Sequence, residues 1–407
     1  MRYQKLSPRQ NLAMTWWNRP GFGDYDGIIC DGSIRSGKTV AMTVGFIMWA
    51  MCRFQGQNFA LCGKTIESLR RNVTTNLPTW LAGVFSFREY RTENKIVVSA
   101  AGRSNNFYLF GGRDESSASL IQGITLAGVL LDEVALMPRS FVEQACARCS
   151  VEGSKLWFNC NPEGPSHWFY LTWVLEAGKR NMLHLHFTMD DNLSLSAAVK
   201  ARYESLYSGV FYDRFIRGLW VVAEGLIYTM FSKDFHVVPD VPRPYDRYYI
   251  SVDYGTVNPT SMGLWGRASG KWYRMREYYF DSRKEGRQRT DEEHYFELER
   301  LAGDLPIRAV IVDPSAASFI EAIRRHGRFY VEKASNAVLD GIRDVATRLQ
   351  SGDIFICSGC TDCIREVGLY RWDEKAPMDR PIKENDHAMD DVRYFVHKIF
   401  GPQLFSF

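Results

Sequence analysis

The sequence predicts an α/β protein in two domains, on three observations. Its 407 residues are too many for one ordinary hydrophobic core. Over roughly the first 220 residues, short apolar runs alternate with amphipathic stretches, as strands and helices do in an α/β domain. A segment bearing Pro239, Pro242 and Pro244 then separates this region from a second series of strand-like runs, because proline suits neither a helix nor a central strand. The domains are expected at residues 1–222 and 245–407, with a linker at 223–244.

Composition narrows the class. Hydrophobic residues make up 45% of the chain, enough for globular folding and too many for a disordered protein. The formal net charge is only +3, so any nucleic-acid surface must be local. No apolar run reaches the length that spans a bilayer, and the start "MRYQKLSPRQNLAM" lacks the apolar stretch of a signal peptide. A reducing cytoplasm is the expected location. Nine cysteines, an odd number, argue against a disulfide framework there. The spacings Cys146-x-x-Cys149 and Cys357, Cys360, Cys363 in "CSGCTDC" suit zinc or an iron–sulfur cluster on paper. No fourth ligand follows at a standard spacing, so they are read as small buried side chains.

In chain order, "GIIC" reads as a strand leading through a glycine-containing loop into the helical "TVAMTVGFIMWAMCRF". "FALCG" is a strand before "KTIESLRRNV", and "KIVVSAAGRSNNFYLFGG" reads as two strands around a turn. "AGVLLDE" and "KLWFNCNP" are apolar runs ending in polar residues, and "LSAAVKARYESLYSGVFYDRFIRGLW" reads as helical. In the second region "YYISVDYGTVNPTSMGLWGRASGKWYRMREYYF" reads as a hairpin with "ASGK" as its turn. "IRAVIVDPSA" is a strand before the helix "SFIEAIRRHG", and a last helix begins near Asp386.

The loop "GSIRSGKT", Gly32, Ser33, Ile34, Arg35, Ser36, Gly37, Lys38 and Thr39, matches G-x-x-x-x-G-K-[ST] and lies between a strand and a helix. Its glycines let backbone N–H groups close around phosphate oxygens, and the helix N-terminus adds positive potential. Lys38 is expected to reach the β- and γ-phosphates of ATP and Thr39 to bind Mg²⁺. The strand "GVLLDE" supplies Asp132 for the ion and Glu133 for the attacking water. Arg35 has three readings: stabilising charge on the transferred phosphoryl group, assisting binding only, or pointing to solvent. The strand end carrying Asn159 and Asn161 reads as a sensor of the γ-phosphate or as a plain Asn-Pro turn.

In the second region Asp253 and Asp313 each end an apolar strand. The last helix buries Met389, Val392, Val396 and Ile399 by its spacing. Asp390 then falls on the flank of that stripe, His387 a step further round, and Asp391 points away. Asp386 stands where it can cap the helix. Asp390 is therefore the expected third carboxylate, with His387 an auxiliary ligand or acid/base. Three such acids in one groove need a hard cation, and two ions ~3.5–4 Å apart are the usual means of phosphodiester hydrolysis. The alternative is three unrelated surface acids. Arg283, Lys284, Arg287 and Arg289 in "DSRKEGRQR" read as a clamp on DNA phosphates or as a solvated loop.

With these residues in hand, the chain resembles the large terminase subunit of tailed bacteriophages over almost its whole length. "SPRQ" is similar to that family's adenine-contacting glutamine motif, here Gln10, and "GSIRSGKT" to its arginine-bearing Walker A. "LLDE" resembles its Walker B, and "CNPEGPSHWFY" its coupling motif with Asn161. "DYG", "VDPSA" and "NDHAMDDVRY" resemble its three nuclease motifs. The resemblance implies a RecA-like P-loop ATPase domain followed by an RNase H-like nuclease domain. Lys38, Thr39, Asp132 and Glu133 would serve ATP, and Asp253, Asp313 and Asp390 would bind Mg²⁺ or Mn²⁺, with Asp391 one residue away from the third ligand. It implies a packaging motor: ATP hydrolysis moves double-stranded DNA through the portal protein into the procapsid, and a two-metal endonuclease cuts the concatemer. Implied partners are DNA, the portal and a small terminase subunit. The implied assembly is a ring on the procapsid from a chain that can be monomeric in solution, in the host cytoplasm and away from membranes. A repair or recombination ATPase with an appended nuclease is the second reading. It would need helicase motifs after Walker B, which the sequence lacks. A non-catalytic scaffold, the third, has no need of Lys38, Glu133, Asp253 and Asp313.

Overall fold

The computed structural model describes residues 5–376 and 378–401. The chain forms two compact units. One comprises residues up to Glu204 and Tyr212–Val221, and the other Ser205–Phe211 and the chain from Val222 onward.

The first unit is built on eight strands: β1 (Gly27–Gly32), β2 (Asn58–Gly63), β3 (Ser86–Tyr90), β4 (Lys95–Ala100), β5 (Arg103–Gly111), β6 (Gly128–Asp132), β7 (Lys155–Asn159) and β8 (Met182–Phe187). Their order is β3-β4-β5-β2-β6-β7-β1-β8. β5, β2, β6, β7, β1 and β8 run parallel, and β3 and β4 extend the edge antiparallel. Parallel strands are covered on both faces, which is why "GIIC", "FALC" and "GVLL" read as continuous apolar runs. Phe46, Trp49, Phe59, Phe107 and Trp157 pack edge-to-face and stacked between the sheet and the helix Lys38–Arg53. The polar ends of β1, β6 and β7 therefore emerge side by side at the C-terminal edge, where parallel sheets bind ligands.

The second unit has β9 (Val237–Val238), β10 (Arg247–Asp253), β11 (Thr260–Ala268), β12 (Lys271–Phe280), β13 (Ile307–Val312), β14 (Val331–Lys333) and β15 (Ile354–Cys357), in the order β14-β13-β10-β11-β12-β15-β9. β10, β11 and β12 form an antiparallel meander, and β13 adds parallel to β10 with Val252 opposite Val312. The helix His387–Phe400 lies against β10 and β11 on one side and the helix Val338–Gln350 on the other. Among the described residues no helix is long and apolar enough to cross a membrane.

Two expectations change. Residues 223–244 fold with the second unit: Ile227, Tyr228 and His236 are buried, and Val237–Val238 pairs with β15. The expected long helix from Leu195 to Trp220 is instead Ala197–Leu206 and Gly209–Phe215, interrupted where Gly209 takes a φ of 54°.

Candidate nucleotide site and candidate metal groove

The phosphate loop turns through left-handed conformations at Arg35 (φ 57°) and Gly37 (φ 85°). At Gly37 the left-handed backbone favours glycine, and a Cβ would lie 2.2 Å from the Gln10 amide nitrogen and displace that side chain. Gln10 is buried, accepts from the Ser7 N–H (3.0 Å) and donates to the Ser36 carbonyl (3.2 Å). It thereby ties the helix Pro8–Thr15 to the loop. Ile34, Arg35, Ser36, Gly37, Lys38 and Thr39 line one pocket with Glu133, Asn159 and Asn161, while Gly32 and the buried Ser33 close the loop's base.

Lys38 Nζ donates to the carbonyls of Gly32 (3.1 Å) and Ser33 (2.7 Å) and to Asn161 Oδ1 (3.1 Å). Burial lowers its pKa. The ammonium is thus held over the loop by neutral acceptors, a position from which phosphate oxygens can replace them. On the other side of the loop Thr39 Oγ1 donates to Asp132 Oδ1 (3.2 Å), and Asn159 Nδ2 donates to Thr39 Oγ1 (2.9 Å) and to Asp132. Burial pushes the Asp132 carboxyl up to about 7, with the adjacent Glu133 charge adding to it. A carboxylate so poorly compensated is suited to a cation.

The two asparagines therefore divide: Asn161 holds the lysine, and Asn159 holds the Thr39–Asp132 pair. Arg35 lies over the Tyr203 ring (5.3 Å), and its carbonyl accepts from Asn192 (2.7 Å). Sequence reasoning missed the opposite wall, Arg71, Asn72, Asn76 and Trp80, which follows β2 and carries no motif. It also missed the support behind the loop. There Asp31, fully buried at the end of β1, accepts from Trp220 Nε1 (2.7 Å) and meets His184 (2.9 Å) and His186 (3.0 Å).

In the second unit Asp253 and Asp313 leave the neighbouring C-terminal ends of β10 and β13, and the Asp313 N–H donates to Val252 O (3.3 Å). Both line one groove with His387 and Asp390 from the last helix. His387 Nδ1 lies 2.9 Å from Asp253 Oδ2. Tyr394 Oη (3.1 Å) and the Ser315 N–H (2.8 Å) donate to Asp313. Asp390 accepts from Arg393 (3.0 Å) and Lys383 (3.2 Å). Burial pushes Asp253 up to about 6 against the His387 bond, with the Asp390 charge adding to the rise. Burial opposes protonation of His387, yet its bond to Asp253 raises its pKa. Among the described residues no three His, Cys, Asp or Glu side chains stand together closely enough to hold an ion as they are. Asp253, Asp313 and Asp390 are each engaged by a protein side chain. Their chemistry, hard carboxylate oxygens converging on one groove, fits Mg²⁺ or Mn²⁺ and no soft metal.

Asp391 corrects the sequence reading. It does not point away from the core but is fully buried on the sheet side of the helix. Both its oxygens accept from Arg274, itself fully buried, and it also accepts from Ser251 (2.8 Å) and Ser261. A Cβ at Gly263 would lie 2.0 Å from Arg274 Nη1, so the glycine makes room for the pair. The reason is that residues 388–396 are buried all round, so a helix face off the apolar stripe is not solvent. Asp386 makes no cap bond either; its carboxylate meets Lys383 at 3.2 Å. Of the expected clamp, Arg283 and Lys284 line the groove, whereas Arg287 pairs with Glu293 and Arg289 with Glu297. All nine cysteines are free.

A parallel sheet with a phosphate loop after β1 and an acid-ended β6 two strands away defines a P-loop NTPase unit, and the acid-rimmed mixed sheet is RNase H-like. Known proteins carry the same pairing. Residues 29–233 match the family described as terminase large subunit, T4likevirus-type, N-terminal, which is half of the chain. The chain belongs to the phage large terminase subunits. It is 23% identical over 319 residues, 74% of this chain and 67% of the relative, to the terminase large subunit of Escherichia phage T5. The crystal structure of the large terminase from a thermophilic bacteriophage superposes with a TM-score of 0.93 at 55% identity, over 97% of this chain and 99% of that one. The same thermophilic-phage protein solved with ADP (TM-score 0.90, 54% identity) and with ATP-gamma-S (0.89, 53%) matches over 97% of this chain and 99% of that one.

Proposed function

We propose that this large terminase hydrolyses ATP in its first unit to drive double-stranded DNA through the portal into a procapsid, and cuts that DNA in its second unit. The observation that carries this is one chain holding both a phosphate loop completed by Thr39, Asp132 and Asn159 and a separate groove rimmed by Asp253, Asp313 and Asp390. The likeness to the thermophilic-phage terminase, solved with ADP and with ATP-gamma-S, supports nucleotide binding here.

In the first unit Lys38 exchanges its carbonyl and Asn161 partners for phosphate oxygens, so Asn161 registers the nucleotide. Thr39 and Asp132 would hold Mg²⁺, Glu133 would orient the attacking water, and Arg35 adds positive charge beside the loop. In the second unit Asp253, Asp313 and Asp390 would hold Mg²⁺ or Mn²⁺ once Lys383, an exposed side chain, turns aside. Ions held by these carboxylates would supply the Lewis-acid chemistry of phosphodiester hydrolysis. His387 exchanges a proton beside Asp253, and Arg283 and Lys284 bind the DNA backbone. Backbone contacts carry no sequence information, so cleavage has little base preference. The assembly is a ring on the procapsid, fed by a small terminase subunit in the host cytoplasm; the first unit is the ATPase domain and the second, with residues 223–244, the nuclease domain, and membership in the terminase family displaces the repair-ATPase reading. The test is reconstituted packaging with portal-bearing procapsids, linear DNA and ATP, scored as nuclease-protected DNA. Wild type should protect DNA and Lys38→Ala should not. Robust ATP hydrolysis without protected DNA would contradict translocation.

A further inference from the structure

His387 and Asp390 sit in the first turn of the helix His387–Phe400, so the helix start decides where they stand. The first N–H groups of a helix need acceptors from outside it. Asp386 does not provide one. Instead the Ala388 N–H donates to Glu366 Oε2 at 2.6 Å. Glu366 is fully buried, and its Oε1 accepts from the Tyr279 hydroxyl (2.6 Å) and from Arg365 (3.3 Å). Glu366 belongs to the helix Thr361–Val367, which also lacks a cap of its own. The N–H groups of Asp362 (2.7 Å) and Cys363 (3.1 Å) donate to Glu277 on β12. Glu277 in turn lies 3.5 Å from Arg274, the partner of Asp391. Buried carboxylates thus link strand to helix to helix, and the "CSGCTDC" stretch is the turn and helix start that Glu277 receives.

We propose that Glu277 and Glu366 form a relay of carboxylate caps that positions His387 and Asp390 for cation binding in the groove. This rests on reading the groove as the nuclease metal site. A helix N-terminus favours an anionic acceptor, and a carboxylate held by donors from three elements fixes the helix along its own axis as well as capping it. A serine or aspartate cap from the adjoining loop would stabilise the helix without that registration. Glu366 is a positioning residue: it holds the helix that presents the ligands.

The test uses the full chain and Mn²⁺ alone as the probe. Calorimetric Mn²⁺ titrations without nucleotide compare wild type, Glu366→Ala, Glu366→Gln and Tyr279→Phe, counting only the binding that Asp253→Ala abolishes. Glu366→Ala should weaken Mn²⁺ about 10–100-fold, the range for supports one step behind metal ligands. Cleavage should need correspondingly more Mn²⁺, with ATP hydrolysis unchanged. Glu366→Gln keeps an oxygen for the Ala388 N–H and should recover most of the affinity. A purely structural role would lower the melting temperature and leave the Mn²⁺ affinity of the folded protein intact; that result overturns the relay. If Glu366→Ala does not fold, Tyr279→Phe decides, and wild-type affinity there overturns the proposal. Wild type that neither binds Mn²⁺ nor cleaves DNA sinks the nuclease reading itself, a separate outcome.

Discussion

In the first unit the acid facing the cation position, Asp132, is surrounded by neutral donors, Thr39 and Asn159, and its pKa is pushed up to about 7. In the second unit Asp253, Asp313 and Asp390 meet His387, Tyr394, Arg393 and Lys383. The nucleotide site is shaped by backbone, a loop whose turns are set by local sequence. The groove is shaped by side-chain charges brought from β10, β13 and the last helix. Filling the nucleotide site exchanges only neutral partners of Lys38, whereas the groove must release charged partners such as Lys383 as ions enter.

The largest expected effect lies in the first unit. Lys38→Ala should reduce ATP turnover by about 10²–10³ or more, the scale of removing one preorganised charge-stabilising donor. DNA cleavage in Mn²⁺ should persist. Loss of both activities in a folded variant would mean the two centres do not act separately. Next comes the pair that the sequence leaves open. Asp391→Ala strands Arg274 in the core and should cost about 3–5 kcal/mol, visible in chemical denaturation. Asp390→Ala, at the groove, should abolish cleavage and also leaves the buried Arg393 unpaired, so cleavage by the folded variants separates the two acids; cleavage kept in folded Asp390→Ala and lost in folded Asp391→Ala would exchange their roles. Smaller again is the split between the asparagines. Asn159→Ala should raise the Mg²⁺ needed for ATP hydrolysis, and Asn161→Ala should slow turnover at saturating Mg²⁺.

The smallest effect is on pH. Asp253 titrates near 6 in the folded protein against an ordinary value of 3.8. Protons then compete with Mn²⁺ below about pH 6, so cleavage at fixed Mn²⁺ falls as the pH drops. The folded state binds that proton more tightly than the unfolded one, so the Asp253 contribution to stability rises between pH 6 and 3.8 as activity falls. Paired pH profiles of cleavage and denaturation check the opposing slopes.

The contrast also explains what the sequence could reveal. The phosphate loop, Asp132 and Glu133 lie in contiguous stretches whose local context, strand then turn then helix, carries the chemistry. The α/β strands were legible because buried parallel strands are apolar throughout. Asp253 and Asp313 were legible as strand ends. Asp391 was not, since periodicity assumes one wet face and this helix is covered on both sides. Asp386 reads as a cap in sequence, but the cap comes from Glu366, 22 residues earlier in the chain (388 − 366). Arg287 and Arg289 look like a DNA clamp until Glu293 and Glu297 take them. Residues 223–228 carry no periodicity, yet Ile227 and Tyr228 are buried through long-range packing.

The central claim is that the second unit is a metal nuclease separate from the ATPase. The most direct measurement is cleavage of supercoiled plasmid by the purified chain in Mn²⁺ without ATP, wild type beside Asp253→Ala, with ATP hydrolysis followed in the same preparations. The account predicts cleavage by wild type, none by the variant, and equal ATP hydrolysis in both. Equal cleavage by folded Asp253→Ala, or none by folded wild type, would contradict it.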